Sequence, residues 1–349
     1  MTTTDMSHVA PGASRVTSGD LDEEHEQNLE GDVDVSLAPI QGEDTRRALP
    51  KDFFVRKPAV FLTKFTFAMG LVGAGWFVIA THTGGWLGTI ASVILVGLIY
   101  AHLVELQHEC LHGHAFKSKA LNRVFGFACG IFLLSSHTHY KHDHLRHHAN
   151  LGTPRNREFF NYRFSNLHTL SGFLYASFHL GRYLDVGRDI LRGFVGKPPA
   201  HISNPRDAAK IRTEYQLYGL AVAGAIAYTA VSGDLTVVIA WALATLLVGE
   251  PAHFWIELPE HYGLNTQTEG NVLANTRTIH ASFLGKWYTN GNNLHTAHHY
   301  HQGVPMVQIP RLHEREQRKW HIVERSYWSF FKKVVTGELK NHEQNCMTR

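Results

Sequence analysis

From Phe65 to Ala80 every residue is apolar, small or Thr. After His82-Thr-Gly-Gly85 a second apolar run extends from Trp86 to about Val104, interrupted only by His102. The second run is long enough to cross a hydrocarbon core of about 30 Å, and the first becomes so with its flanks. Another pair follows, Leu217 to Val231 and Leu235 to Val248, broken by Ser232-Gly-Asp234. At about 15 residues each, these suit either short membrane spans or a buried helical hairpin. The Gly and Trp inside the runs favour membrane helices.

Of the remaining segments, Val124 to Leu134 is too short to cross and suits a re-entrant stretch, and two others suit helices at the membrane surface or packed amphipathic helices of a soluble domain. Leu167 to Phe194 alternates Leu170, Phe173, Leu174, Phe178 and Leu184 with Arg182, Arg188 and Arg192, which predicts a helix in the headgroup plane. Trp320 to Val335 has the same mixture of aromatic and basic residues. Charge then orients the whole. The two tight turns carry no Lys or Arg, whereas Arg56 and Lys57 precede the first run and Lys117, Lys119 and Arg123 follow the second. The positive-inside bias places both turns outside and both termini in the cytoplasm. A hairpin returns the chain to the side it left, so the exits of the second and fourth spans share one face. His108 and His112 stand at the first exit, His253 and His261 at the second.

The net charge of +3 over 349 residues hides an asymmetry. Residues 1–50 hold 11 Asp and Glu against Arg15, Arg46 and Arg47, a net of −8 that leaves +11 for the remainder. This acidic leader lacks apolar periodicity and is expected to be a disordered tail, not a signal peptide. The basic remainder comes without a nucleic-acid-binding signature, so a membrane surface is its expected partner and nucleic acid is not. The 3 cysteines form no spaced pair, which removes a disulfide framework and a thiolate metal knuckle.

Histidine is the unusual component, with 26 residues. Three clusters stand out: His108-x3-His112, His144-x2-His147-His148 and His295-x2-His298-His299. Scattered at random, the 26 would produce about 0.14 copies of HxxHH, and the chain holds two. On a helix, positions i, i+3 and i+4 share a face, so each box is expected to aim its imidazoles at one point. His108-Glu109-Cys-Leu-His112 also fits the zinc-peptidase pattern HExxH, with Glu109 as general base. Such a site needs three protein ligands. Eight clustered histidines exceed that and suit two octahedral-leaning metals with positions left open for oxygen.

In order, spacing and membrane placement, the boxes resemble those of the integral-membrane fatty acid desaturases over roughly residues 55 to 335. Further marks are Gly113 after the first box, Asn293-Leu-His295 at the third, and Val304-Pro305 after it. The resemblance implies two Fe ions held by His108, His112, His144, His147, His148, His295, His298 and His299, with His261 as ninth ligand in preference to His253. It implies an all-α integral membrane fold, with four transmembrane helices as two hairpins and a cytoplasmic helical cap holding the histidine-ligated di-iron site. The desaturase domain is expected over 51–340, followed by a C-terminal tail, 341–349. Glu109 in place of the commoner Asp, Leu111 in place of Gly and Gln302 in place of Pro alter no ligand and bear on the substrate.

The implied reaction uses O2 and two electrons to introduce a C=C bond into an acyl chain or related lipophilic substrate. Hydroxylation or ketone formation is a close variant, and a natural product other than a fatty acid is an alternative substrate. Glu109, Glu257, Glu260 and Asn293 are expected to orient imidazoles through their outer ring nitrogens. His102 is expected to be packed and hydrogen-bonded, and His137, His139 and His142 to lie beside the second box without belonging to it. His114 and His301 are substitutes for a named ligand. The sequence has no haem, iron-sulfur or dinucleotide signature, so a separate electron donor, a ferredoxin or a cytochrome with its reductase, is expected at the basic face. Two other classes stay open: an HExxH membrane zinc peptidase and a non-catalytic metal carrier.

Overall fold

The computed structural model describes residues 49–199 and 201–348, so all but the last two residues of the expected disordered leader, 1–50, lie outside the described residues. The architecture is almost entirely helical. Helices α1 (Pro58–Thr81) and α2 (Gly85–Leu111) form the first hairpin. Its turn uses the left-handed region at His82, Gly84 and Gly85, which glycine enters without a Cβ penalty. Short α3 (Lys119–Gly130) and the second-box helix α4 (His137–Asn150) follow, then α5 (Leu170–Phe178), α6 (Leu180–Phe194) and the long α7 (Pro205–Ser232). A tight turn leads into one continuous rod made of α8 (Thr236–Leu243), a π-helical stretch (Ala244–Gly249) and α9 (Glu250–His261).

Among the described residues, three segments are long and apolar enough to cross a membrane: Lys51–Thr81, Gly85–Leu111 and Thr236–His261. The last is longer than the apolar run that predicts it, because the helix continues past Val248 through a polar end. The apolar half of α7 belongs to a 28-residue helix whose first half is charged.

Helix α2 changes character along its length. Trp86, Leu87, Ile90 and Ile94 are exposed apolar side chains on its first half, as suits a surface facing lipid tails. From Ile99 to Leu111 every residue is buried, because α1, α3 and the π-helical stretch close around it. Gly97 allows this. A Cβ there would fall 2.5 Å from the Ala244 carbonyl oxygen and 2.5 Å from Val248 Cβ, so the rod carrying Glu250–His261 can approach α2 only over a bare backbone.

Two surface expectations change. The predicted helix over 167–194 is broken at His179, whose φ of 38° caps α5 and starts α6. Arg182, expected on the polar face, is instead buried: it donates to Glu250 Oε2 at 3.1 Å and to the Leu133 carbonyl at 2.8 Å. The Glu250 carboxylate also accepts from Tyr162 and Tyr183, so this buried ion pair is fully hydrogen-bonded. In the C-terminal aromatic stretch only α14 (Tyr327–Val335) is helical. Before it come α10 (Val272–Asn275), α11 (Phe283–Tyr288), α12 (His295–Tyr300) and α13 (Ile309–Glu316), and the strands β1 (Thr278–Ile279) and β2 (Val323–Glu324), which pair in parallel. The expected C-terminal tail is also packed. Met347 is buried, its carbonyl accepts from Phe164 N, and Asn345 Nδ2 donates to the carbonyls of His261 and Leu264.

The orientation of α4 is set from α7. The buried Glu214 carboxylate accepts from Ser136 Oγ (2.8 Å), Thr138 N (2.9 Å) and Thr138 Oγ1 (2.7 Å), and Arg123 donates to it from the rim. A carboxylate at a helix N-terminus is also favoured by the helix dipole. Glu214→Ala is therefore expected to cost about 3 kcal/mol, read as a lower thermal midpoint in detergent. Glu214→Gln, which keeps part of the hydrogen bonding, should lose less.

Candidate metal centre

Three elements deliver the first group of imidazoles. The buried end of α2 supplies His108 and His112, α4 supplies His144 and His148, and α12 supplies His298. Their ligand atoms all lie within 4.8 Å of one another. Nε2 of His144 is 2.8 Å from that of His108, 3.0 Å from that of His112 and 3.0 Å from that of His148, and His148 is 3.0 Å from His298. The second group is His147, His261, His295 and His299, also within 4.8 Å. There, His147 lies 3.3 Å from His299 and His295 3.1 Å from His261, Nε2 to Nε2. All nine are buried.

The nine residues brought together are the nine expected from the sequence, but not in the expected pattern. Neither HxxHH box aims at one point. His144 and His148 join the first group while His147 turns to the second, and His298 parts from His295 and His299 in the same way. The i and i+4 positions of a box stay together and the i+3 position, rotated further round the helix, reaches the neighbouring group. Each box thus straddles both groups, and the rings of His148 and His299 stack at the seam, 4.1 Å apart.

A hydrogen-bonded network cannot account for this crowding. A neutral imidazole nitrogen either donates one hydrogen or accepts through one in-plane lone pair. His144 Nε2 nevertheless faces three other ring nitrogens at about hydrogen-bond distance. A first-row metal held at about 2.1 Å by each nitrogen requires about 3.0 Å between neighbouring ligands of an octahedron. The observed spacings match that, so the residues fit metal ions of the class that imidazole prefers, iron included. Five of the rings are also kept neutral. Burial, reinforced by neighbouring imidazoles, pushes His144, His148, His295, His298 and His299 well below the usual histidine range. Neutral imidazole is the form that binds metal.

The outer ring nitrogens show which groups orient the rings. His261 Nδ1 faces the Asn275 carbonyl at 2.8 Å, His295 Nδ1 faces Asn292 Oδ1 at 3.0 Å, and His147 Nδ1 faces Asn156 Oδ1 at 2.8 Å. Of the expected orienting residues, Glu260 touches the centre: it lies 3.4 Å from His295 Nε2 and accepts from Asn292 at 2.6 Å. Glu109 instead accepts from Asn290, which is bonded by Lys64. Glu257 stands beside His253, and Asn293 binds the Ile279 carbonyl, which fixes the approach to α12. Sequence reasoning missed Asn156, Asn292 and Glu158. Glu158 Oε1 comes within 2.5 Å of His147 Nδ1 and 3.9 Å of His261 Nε2. Burial would raise its carboxyl, but the surrounding imidazoles outweigh burial and hold it below the ordinary value. Asn292 lies three residues before His295, a helical spacing that offers a signal; Asn156 and Glu158 sit in a loop and give none.

His253 stays outside both groups, bonded to Tyr162 and packed on Phe160. His102 is packed on Trp287 with Nδ1 at the Tyr288 carbonyl. His114 stacks on His112 and His301 packs against Phe54, and neither enters a group.

Asn292→Ala should weaken metal binding about 10-fold or more at the second group and spare the first, as competition with a chelator would report. The metal-free protein should also be acid-sensitive. His144, His148, His295, His298 and His299 titrate below the unfolded value of about 6.5, so their contribution to stability is complete above that pH and is lost as pH falls, when only the unfolded chain takes up protons. Metal-depleted protein should melt earlier at about pH 5.5 than at about pH 7.5.

Comparison with known proteins gives the same direction as the geometry. The fatty acid desaturase family model matches residues 84–331. An sn-1 acyl-lipid omega-3 desaturase (ferredoxin) from Synechocystis sp. is 29% identical over 114 residues, 33% of this chain and 32% of that protein. A fatty acid desaturase from Bacillus subtilis is 30% identical over 64 residues, 18% of each chain. These alignments span a third or less of either relative's length, whereas the family match takes in every histidine of both groups. The chain belongs to the fatty acid desaturase family.

Proposed function

We propose that this protein is an O2-dependent di-iron membrane desaturase that converts a saturated carbon pair of an acyl chain, or of a related lipophilic substrate, into a C=C bond. The observation that carries the reading is the burial of nine imidazoles in groups of five and four beside the ends of membrane-spanning helices. In the balanced reaction two hydrogens leave carbon, a donor supplies two electrons with two protons, and O2 ends as two waters. Bound iron would supply the oxidising power for hydrogen removal.

The chain's own residues hold and shield the site. The first group would ligate one ion and the second the other, with Asn156, Asn292 and the Asn275 carbonyl fixing the rings of the second. The buried half of α2 and the packed C-terminal segment keep bulk water out. An acyl substrate is supported by the family, and a lipid-borne one by the exposed apolar surface of α1 and α2. We place four crossings in the membrane, the three long apolar segments and the apolar half of α7, with both turns outside. The basic flanks Arg56, Lys57, Lys117 and Arg123 and the cation-free turns support this orientation.

Electrons would arrive from a separate acidic donor, as the ferredoxin in the name of the Synechocystis relative supports. Arg56, Lys117, Arg123, Lys141 and Lys210 line a cavity of about 570 Å³ beside α3 and α4, a cationic surface fit for such a partner. The zinc-peptidase alternative needs three ligands and Glu109 beside the bound water. It leaves six of the nine buried imidazoles without a role, and Glu109 is held by Asn290.

Protein purified in detergent after expression with iron and zinc both present should carry about two irons per chain, lost on His148→Ala or His299→Ala. Given ferredoxin, its reductase and O2, it should yield an acyl product short of two hydrogens by mass spectrometry. Added oxygen in the product would make it a hydroxylase. About one zinc, retained in both variants, would overturn the di-iron reading.

A further inference from the structure

Helix α4 carries a second set of donors beside its three box histidines. His139 and Asp143, one turn apart, meet His201 from the segment joining α6 to α7. His139 Nε2 is 3.3 Å from His201 Nε2 and 3.6 Å from Asp143 Oδ2, and His201 Nε2 is 3.0 Å from Asp143 Oδ1. We propose that His139, Asp143 and His201 form a third metal site, separate from the nine-histidine centre, for a single divalent transition ion of the zinc class.

The spacing carries the argument. Ligands at about 2.0 Å from a tetrahedral ion stand about 3.3 Å apart, and the three separations bracket that value. Two imidazoles and a carboxylate are a donor set such ions accept, with further positions left for water. The donors are also oriented from outside. The buried Tyr215 hydroxyl meets His139 Nδ1 at 2.8 Å and leaves Nε2 facing the other two, and His142 Nδ1 lies 2.9 Å from Asp143 Oδ1. The site differs from the nine-histidine centre in access: the His201 side chain is 42% exposed, so an ion can enter from water without opening the core. Once bound, it would clip the segment before α7 onto α4, the helix that supplies three imidazoles to the buried centre.

The experiment is a titration of the full-length protein in detergent, metal centre already loaded, with Co(II), followed by visible absorption and metal analysis. The wild type should take up about one further cobalt per chain without loss of the metal already present. His201→Ala, at an exposed position, should weaken that uptake at least about tenfold and leave the resident metal unchanged. His201→Cys should restore binding and add a near-ultraviolet thiolate-to-cobalt band absent from the wild type. The comparison is between variants at one exposed residue, so it reads the same whatever metal the nine histidines hold. No additional cobalt, equal uptake by His201→Ala, or binding by His201→Cys without the thiolate band would each overturn the proposal.

Discussion

The structure depends on an arrangement that is unfavourable by itself: nine imidazoles pressed nitrogen to nitrogen in a buried space. Hydrogen bonds cannot satisfy that crowd, and protonation would place repelling cations in a poorly solvated interior. Helices must therefore hold the rings in place, and a bound cation would compensate them. Much of the surrounding architecture serves that end. Glu214 fixes the start of α4, the Arg182–Glu250 pair fixes the start of α9, and bare Gly97 lets α2 and the rod come together. Each of these lies away from the imidazoles it helps to position.

The π-helical stretch belongs to the same account. A wider turn between α8 and α9 changes the rotation of everything after it. The apolar surface of α8 and the polar series Glu250, His253, Glu257 and His261 can then face different surroundings on one continuous rod. Hydropathy alone ends the fourth run at Val248, because it registers the lipid-facing pattern and not the hydrogen-bonded helix beyond. For the same reason α7 reads as half a helix in the sequence, although its charged first half carries Glu214.

The nine histidines were legible because eight of them occur as spaced boxes and the ninth, His261, follows an apolar run, and spacing is a local property of the chain. Their division into five and four was not legible. It depends on how α2, α4 and α12 cross, which no single box records. The orienting groups divide likewise. Asn292 stands at helical spacing from His295, whereas Asn156 and Glu158 reach His147 from a loop whose path the sequence does not specify. Arg182 shows the opposite failure: its alternation with Leu and Phe predicts a surface position, and the Glu250 carboxylate draws it inside.

The packed C-terminal segment bears on how the protein is made. Asn345 holds the backbone at His261, and Cys346 Sγ accepts from Asn156, the residue that faces the outer nitrogen of His147. Residues late in the chain therefore brace imidazoles carried by helices that come well before them. Membrane insertion can proceed hairpin by hairpin during synthesis, but the histidine cluster acquires this bracing only once Asn345 and Cys346 have followed those helices into place.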